Sequence, residues 1–429
     1  MKGISRSKSA HRIVPHGTVV ASATPGGVLS ALAHLGRAAM VRHQGRWIVT
    51  ANPLETVEGA AAWEALTGPI AAGDDATASL AGGWIGLIGY DAGAALEGVT
   101  ALGPDHGGPP SLWLARYGAV VAVDDAGNVE IEHVDDASRD TLVEALAGIK
   151  PLPVPTSRPC QRPISSLSQT DYKGVVHAVR DLIRAGDCYQ VNVAQRLVAR
   201  WTDGPLAFAQ ALWAAAPAAY QAYLDLPGGV LVSSSPELLV RTEGGVGGIV
   251  ATSSPIKGTT RPGEGHRLTD SAKDLSEHVM IVDLIRNDLG RVAVPGSVSV
   301  PRMKYTIETP YADHLVSDVC ARLRPGTSPA DLLRSLVPGG SVTGCPKIRA
   351  MEVIRELEPV PRGPAFGSIV AVGRDGSVDA SILIRTAWLT GDEARYWCGG
   401  AVVWDSDPEA EWREAWLKAS PFLCALGLQ

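Results

Sequence analysis

Short stretches with the two-residue period of β-strands recur along this chain, with helical segments between them and no fixed repeat length. They include GRWIVTAN (45–52), GGWIGLIGY (82–90), YGAVVAVD (117–124), CYQVNVAQRLVAR (188–200), GVLVSSS (229–235), GSIVAVG (367–373), ASILIRTAW (380–388) and ARYWCGGAVVW (394–404). No Gly-rich dinucleotide fingerprint accompanies them, so a mixed or antiparallel α+β core is expected, not a Rossmann sheet. In the 188–200 stretch the alternation puts Gln190, Asn192 and Arg196 on one face. The segment KPLPVPTSRPCQRPISS interrupts the pattern with four prolines between Lys150 and Arg162. It reads as a linker over 151–168 between an Ala/Gly-rich region 1–150 and a longer region 169–429, the two expected to pack as one unit.

With 429 residues, 45% of them hydrophobic, the chain can bury one large core or two medium ones. A net charge of -7 and the lack of a basic stripe argue against nucleic acid as a partner. No apolar run is long enough to span a bilayer. The opening MKGISRSKSAHRIVPHG lacks the apolar stretch of a secretory signal and is expected to be a frayed tail. Six cysteines are scattered without a C-x-x-C pair, which points to neither zinc nor a disulfide framework. A soluble, cytoplasmic enzyme is the expectation.

Five segments carry chemistry. In TDSAKDLSEHVMIVDLIRNDLGR (269–291) the residues Leu275, Val279, Val282, Ile285 and Leu289 form a helical core stripe, with Asp274 and Glu277 stacked beside it. In SDPEAEWREAWLKASPF (406–422), Ser406 and Glu409 fit a capping box and Pro408 the first turn. Trp412, Ala415, Trp416 and Ala419 would be buried there, with Glu411, Glu414 and Lys418 on the neighbouring face. These acids can be solvated helix faces, or two pairs that meet around a hard divalent cation. VPGGSVTGCPKIRAMEVIREL (337–357) sets glycines, Ser341 and Thr343 before a helix begun by Pro346, either an anion cradle or a tight turn. Arg385, on an expected strand among apolar neighbours, needs a carboxylate from protein or ligand. Lys257, in SSPIKGTTRPGEGHR (253–267), can be a solvated charge, an anion clamp or a nucleophile.

GDCYQVNVAQR, SSPELLV, PIKGTTRPG, LSEHVMIVDLIRNDLGRV, PYADHLVSDV, PGGSVTGCPKIRAMEVI and GGAVVWDSDPEAEWREAWLKA run in that order from about Thr170 to Leu428. Together they resemble the chorismate-utilising enzymes, the family of anthranilate, aminodeoxychorismate, isochorismate and salicylate synthases. The resemblance implies two facing sheets surrounded by helices, with region 1–150 as the family's less uniform front half. It implies Mg2+ on Glu277 and Glu414, with Asp274 and Glu411 behind them, bridging to the ring carboxylate of chorismate. Lys418 and the backbone of Gly399 and Gly400 would hold carboxylates, and Arg385 the enolpyruvyl carboxylate. Gln190, Thr259, Ser341 and Thr343 would line the pocket, with His314 near the ring. Glu237, between Pro236 and two leucines, would be a general acid with a raised pKa.

Members of this family that add water resemble one another in having a lysine base where this chain has Gln190, and an amide cannot take a proton from water. PIKGT resembles aminodeoxychorismate synthases; anthranilate synthases read PIAGT. Lys257 would then be a covalent nucleophile, with Arg261 as a neighbouring cation. Ammonia would come from a separate glutamine amidotransferase subunit. Anthranilate synthase component I, or an inactive family member that binds a glutaminase, are the alternatives. Phe366, Ala401 and Ala415 depart from the family pattern, and the Gly-rich link 238–256 is expected to be an extended hairpin.

Overall fold

The computed structural model describes residues 23–428 apart from 71–78, 101, 104–106, 157–160, 246, 261, 266–267, 269–271 and 309–311. The expected frayed tail falls on residues outside this set, as does Arg261. Two antiparallel sheets carry the molecule. The first runs, in spatial order, Gly344–Cys345, Gln190–Arg200, Glu393–Val402, Thr386–Thr390, Gly229–Ser235, Tyr220–Leu226, Ala39–His43, Arg46–Thr50, Ala119–Val123 and Val129–His133, with Ile164–Ser165 also on Gln190–Arg200. The second runs Ile256–Thr260, Asp313–Arg322, Gly248–Ser254, Leu238–Gly245, Val378–Ile382, Ser368–Val372, Trp84–Ile88, Leu112–Arg116 and Glu55–Glu58, with Ser299–Glu308 on the free side of Asp313–Arg322. Strands from before residue 150 pair with strands after 169 in both, Ala39 opposite Leu224 and Gly86 opposite Val370.

The period of two explains the layering. Ile48 points into a core between the sheets with Ile85, Leu87, Leu231, Val240 and Val370. Its neighbour Val49 points to the outer face, where Leu29, Leu142, Phe208, Leu212 and Phe422 pack from helices. Both faces of this sheet are covered, so its strands are apolar on both sides. The helix Gln169–Ala185 ends on Gly186 at a φ of 85°, where glycine takes the left-handed conformation freely. The 238–254 hairpin forms, closing with Gly245 opposite Gly248. The described cysteines 188, 320, 345, 398 and 424 are free, and among the described residues no helix is long and apolar enough to cross a membrane.

Three expectations are corrected. ASILIRTAW is not one strand: Val378–Ile382 belongs to the second sheet, Thr386–Thr390 to the first, and the chain crosses between them at Leu383–Arg385. The helix Ala272–Gly290 buries Glu277, His278, Ile281, Val282, Ile285, Asp288 and Leu289, while Val279 is 44% exposed. Its inner face includes polar groups that find partners, His278 at 2.6 Å from Ser317 Oγ and Asp288 on Lys347, so a purely apolar stripe misplaces it. The helix Pro408–Lys418 is capped by Asp407, which accepts from Ala410 N–H, not by a Ser406–Glu409 box. Ser406 is buried and donates instead to Glu411.

Candidate active site

Lys257 lies on the edge strand Ile256–Thr260, opposite Leu315, and the helix Ala272–Gly290 packs against that strand. Its Nζ donates to Glu277 Oε2 at 2.9 Å, and both side chains are largely shielded from water. A solvated loop lysine is thereby excluded. The strand sets this contact: Gly258, at a φ of 74°, follows Lys257 in a register shift of the ladder. The side chains of Thr259 and Asp274 lie outside the described set; the Thr259 backbone pairs with His314.

Glu237 sits just before the strand Leu238–Gly245 and is only 3% exposed. Burial pushes its carboxyl up to about 7. The nearby Ser341 hydroxyl, the Ile256 N–H and the charges of Lys257 and Lys418 pull the other way without winning. Its Oε1 completes no hydrogen bond among the described residues, and neither does Ser341 Oγ. Gln190 is fully buried with both amide atoms equally unpartnered among them. Buried polar atoms without a partner on three separate elements are what a polar ligand would satisfy.

The opposite wall is the helix Pro408–Lys418 against Glu393–Val402. Gly399 and Gly400 are required for different reasons. A Cβ on Gly399 would meet Val193 O at 1.9 Å, so the sheet itself forbids a side chain there. A Cβ on Gly400 would stand 3.1 Å from Glu411 Oε2, 3.5 Å from Glu414 Oε1 and 3.8 Å from Lys418 Nζ. These three groups converge on bare backbone. Glu411 is buried and accepts from Ser406 Oγ at 2.7 Å; Glu414 pairs with Lys418 at 2.7 Å, half exposed. Lys418 also acts electrostatically on Glu237, as does Lys257. The two acidic helices, some 130 residues apart in sequence, thus flank one buried carboxyl.

Glu277, Glu411 and Glu414 present only oxygen, the donor chemistry of a hard divalent cation. Cations already attend two of them, the ammonium groups of Lys257 and Lys418. Among the described residues, side chains of three such groups do not come together as a ready-made ligand set.

Arg385 adopts a φ of 51° at the crossing between the sheets. Burial disfavours its charge, and no carboxylate pairs with it among the described residues. His314, 3% exposed, is pushed down to about 4 by burial and by Arg385, so its imidazole is neutral near pH 7. Thr343 is fully buried and its hydroxyl donates to Gly339 O at 3.0 Å, serving the loop itself. Sequence reasoning missed Glu358 and Arg362, both buried against the strand of Gln190. Nothing in ELEPVPRG, with its two prolines, announces a buried ion pair.

Residues 20–424 match the chorismate binding enzymes. Aminodeoxychorismate synthase component 1 of Salmonella typhimurium is 36% identical over 352 residues, which cover 80% of this chain and 76% of that one. Anthranilate synthase component 1 of Thermus thermophilus is 38% identical over 363 residues, 80% of this chain and 77% of that one. The crystal structure of anthranilate synthase component I from Streptococcus pneumoniae aligns with a TM-score of 0.74 and 26% identity, covering 95% of this chain and 94% of that chain. A family match over nearly the whole length, with relatives above 35% identical across 80% of it, settles membership: the chain belongs to the chorismate binding enzymes.

Proposed function

We propose that the protein is component I of an aminodeoxychorismate synthase, which converts chorismate and ammonia to 4-amino-4-deoxychorismate. The observation that carries this reading is the Lys257 amine, held by Glu277 in the same pocket as the buried acid Glu237. In the proposed chemistry Lys257 Nζ first gives up its ammonium proton to water and bonds to ring C2 as a neutral amine; both ring double bonds shift towards C4, and the C4 hydroxyl leaves as water with a proton from Glu237. Ammonia then adds at C4, the double bonds return, and the lysine is expelled; two easier steps replace one difficult displacement. Arg385 receives the enolpyruvyl carboxylate. Gln190 can hydrogen-bond but not deprotonate, which disfavours water as the nucleophile.

The proposal includes Mg2+ held by Glu277 and Glu414, with Asp274 and Glu411 behind them. Bound there, the ion would neutralise the ring carboxylate of a dianionic substrate in a net acidic protein. A separate glutamine amidotransferase subunit would supply the ammonia, and the product would serve 4-aminobenzoate and folate synthesis.

The Thermus thermophilus relative favours a second reading, anthranilate synthase component I, since it is as similar as the relative named for aminodeoxychorismate. Product identity separates the two. The enzyme is incubated with chorismate, Mg2+ and an ammonium salt. The expected product keeps its enolpyruvyl group until a lyase is added. Anthranilate fluorescence without a lyase would overturn the proposal.

A further inference from the structure

The strand Gln190–Arg200 is paired from Val191 to Arg200 with Glu393–Val402 on one side. On the other side only its ends have strand partners: Cys345 and Gly344 opposite Gln190 and Val191, and Ser165 and Ile164 opposite Leu197 and Val198. The stretch between is buried, so its backbone groups need partners from elsewhere. Glu358 and Arg362 supply two of them. Glu358 Oε1 accepts from Ala194 N–H at 2.8 Å, and Arg362 Nη2 donates to Asn192 O at 2.6 Å. An ion pair stands where a strand is missing.

The same guanidinium reaches further. Its Nη1 donates to Val342 O at 2.7 Å, in the turn Gly340–Val342 that carries Ser341. Its Nε and Nη2 donate to Glu358 at 2.9 and 2.6 Å, and the rings of Tyr90 and Phe366 each lie 4.6 Å from its central carbon. At 2% exposure it has one available geometry. Asn192 Nδ2 donates to Ser341 O at 3.2 Å, a second tie between the strand of Gln190 and the turn of Ser341.

We propose that Arg362, held by Glu358, is a positioning residue of the chorismate pocket, fixing the distance between the strand bearing Gln190 and the turn bearing Ser341. Neither of those side chains completes a hydrogen bond among the described residues, so their spacing is what a polar ligand would meet. The inference rests on reading this cavity as the chorismate site and is indifferent to which product forms there.

Removing one partner alone would leave a buried, uncompensated charge, so the pair is replaced together. Apolar residues of similar volume in place of a buried ion pair are often neutral for stability. The double variant Glu358→Leu/Arg362→Met also strips Ala194 N–H, Asn192 O and Val342 O of their partners, so it is expected to melt below the wild type. Assayed at a temperature where it is still folded, its KM for chorismate is expected to rise about tenfold or more, the scale of a misplaced binding group. Arg362→Lys keeps the charge but not the fork, and is expected to fall between the two. Wild-type KM in either folded variant would overturn the proposal, and so would a loss that disappears on cooling further below the melting temperature. If wild-type protein itself fails to bind chorismate in calorimetry, the reading of the cavity falls, and this inference with it.

Discussion

Glu237 is the residue whose environment speaks most directly about chemistry. A carboxyl that titrates near 7 is half protonated at neutral pH, poised to give its proton to a leaving hydroxyl. As a general acid it is active when protonated, so kcat/KM is expected to fall as pH rises through about 7. Ser341→Ala removes a group that favours the carboxylate, so the alkaline limb should move to higher pH. A pH–rate profile with the limb unmoved would separate Ser341 from this acid. Glu237→Gln should lower turnover by about 100-fold or more and abolish the limb. The same raised pKa bears on folding. The native state keeps its proton above the ordinary value of 4.5, so this group's stabilisation is complete below 4.5 and is lost as pH rises towards about 7. The Pro-Glu-Leu-Leu context foretold this burial. Lys257 was less legible, because the contact that decides its role comes from Glu277, twenty residues away on another element. Lys257→Ala is expected to lower turnover at least about tenfold, roughly 1.4 kcal/mol of transition-state stabilisation. Unchanged turnover would remove its nucleophilic role.

Elements place these residues where local pattern could not. The helix Ala272–Gly290 was legible as a helix, yet its inner face was misjudged because His278 and Asp288 are buried through partners on Asp313–Arg322 and Lys347–Leu357. Arg385 was legible as a charge among apolar neighbours, and it is buried, but its strand turned out to be a crossing between sheets, which no two-residue period can express. The adjacent glycines at 399 and 400 separate folding from function on one strand. Gly399→Ala drives a methyl into Val193 O, so a large fall in melting temperature and little soluble protein are expected. Gly400→Ala meets only the ends of flexible side chains, so it should fold. By displacing Glu411 and Glu414 it should raise the Mg2+ concentration needed for half-maximal activity several-fold. Calorimetric Mg2+ titration and thermal melts of both variants read the two effects apart. Equal Mg2+ affinity in Gly400→Ala and wild type would remove Glu411 and Glu414 from the metal site.

At the scale of the whole molecule, the Pro-rich segment invites division of the chain, and the sheets argue against it. Ala39–His43 lies between Arg46–Thr50 and Tyr220–Leu226, so removing residues 1–150 opens an edge in the middle of the first sheet. It also strips Ile48, Ile85, Leu87, Trp113 and Leu114 from the core between the sheets. At about 2 kcal/mol for each large apolar side chain, these five contribute about 10 kcal/mol. That is as much as the net stability of a typical domain. Composition could mark a boundary at 151–168, but strand partners two hundred residues apart leave no trace in it. We therefore expect 169–429 expressed alone to aggregate or stay unfolded, and 1–150 likewise. The two produced together should associate and recover chorismate binding, because every strand pairing between them survives; what is lost is the link itself, with the short strand Ile164–Ser165 and the buried Leu152 and Leu167. The intact chain should unfold in one calorimetric transition. Cooperative melting of 169–429 on its own, with chorismate still bound, would mean that the shared sheets do not make the two regions interdependent.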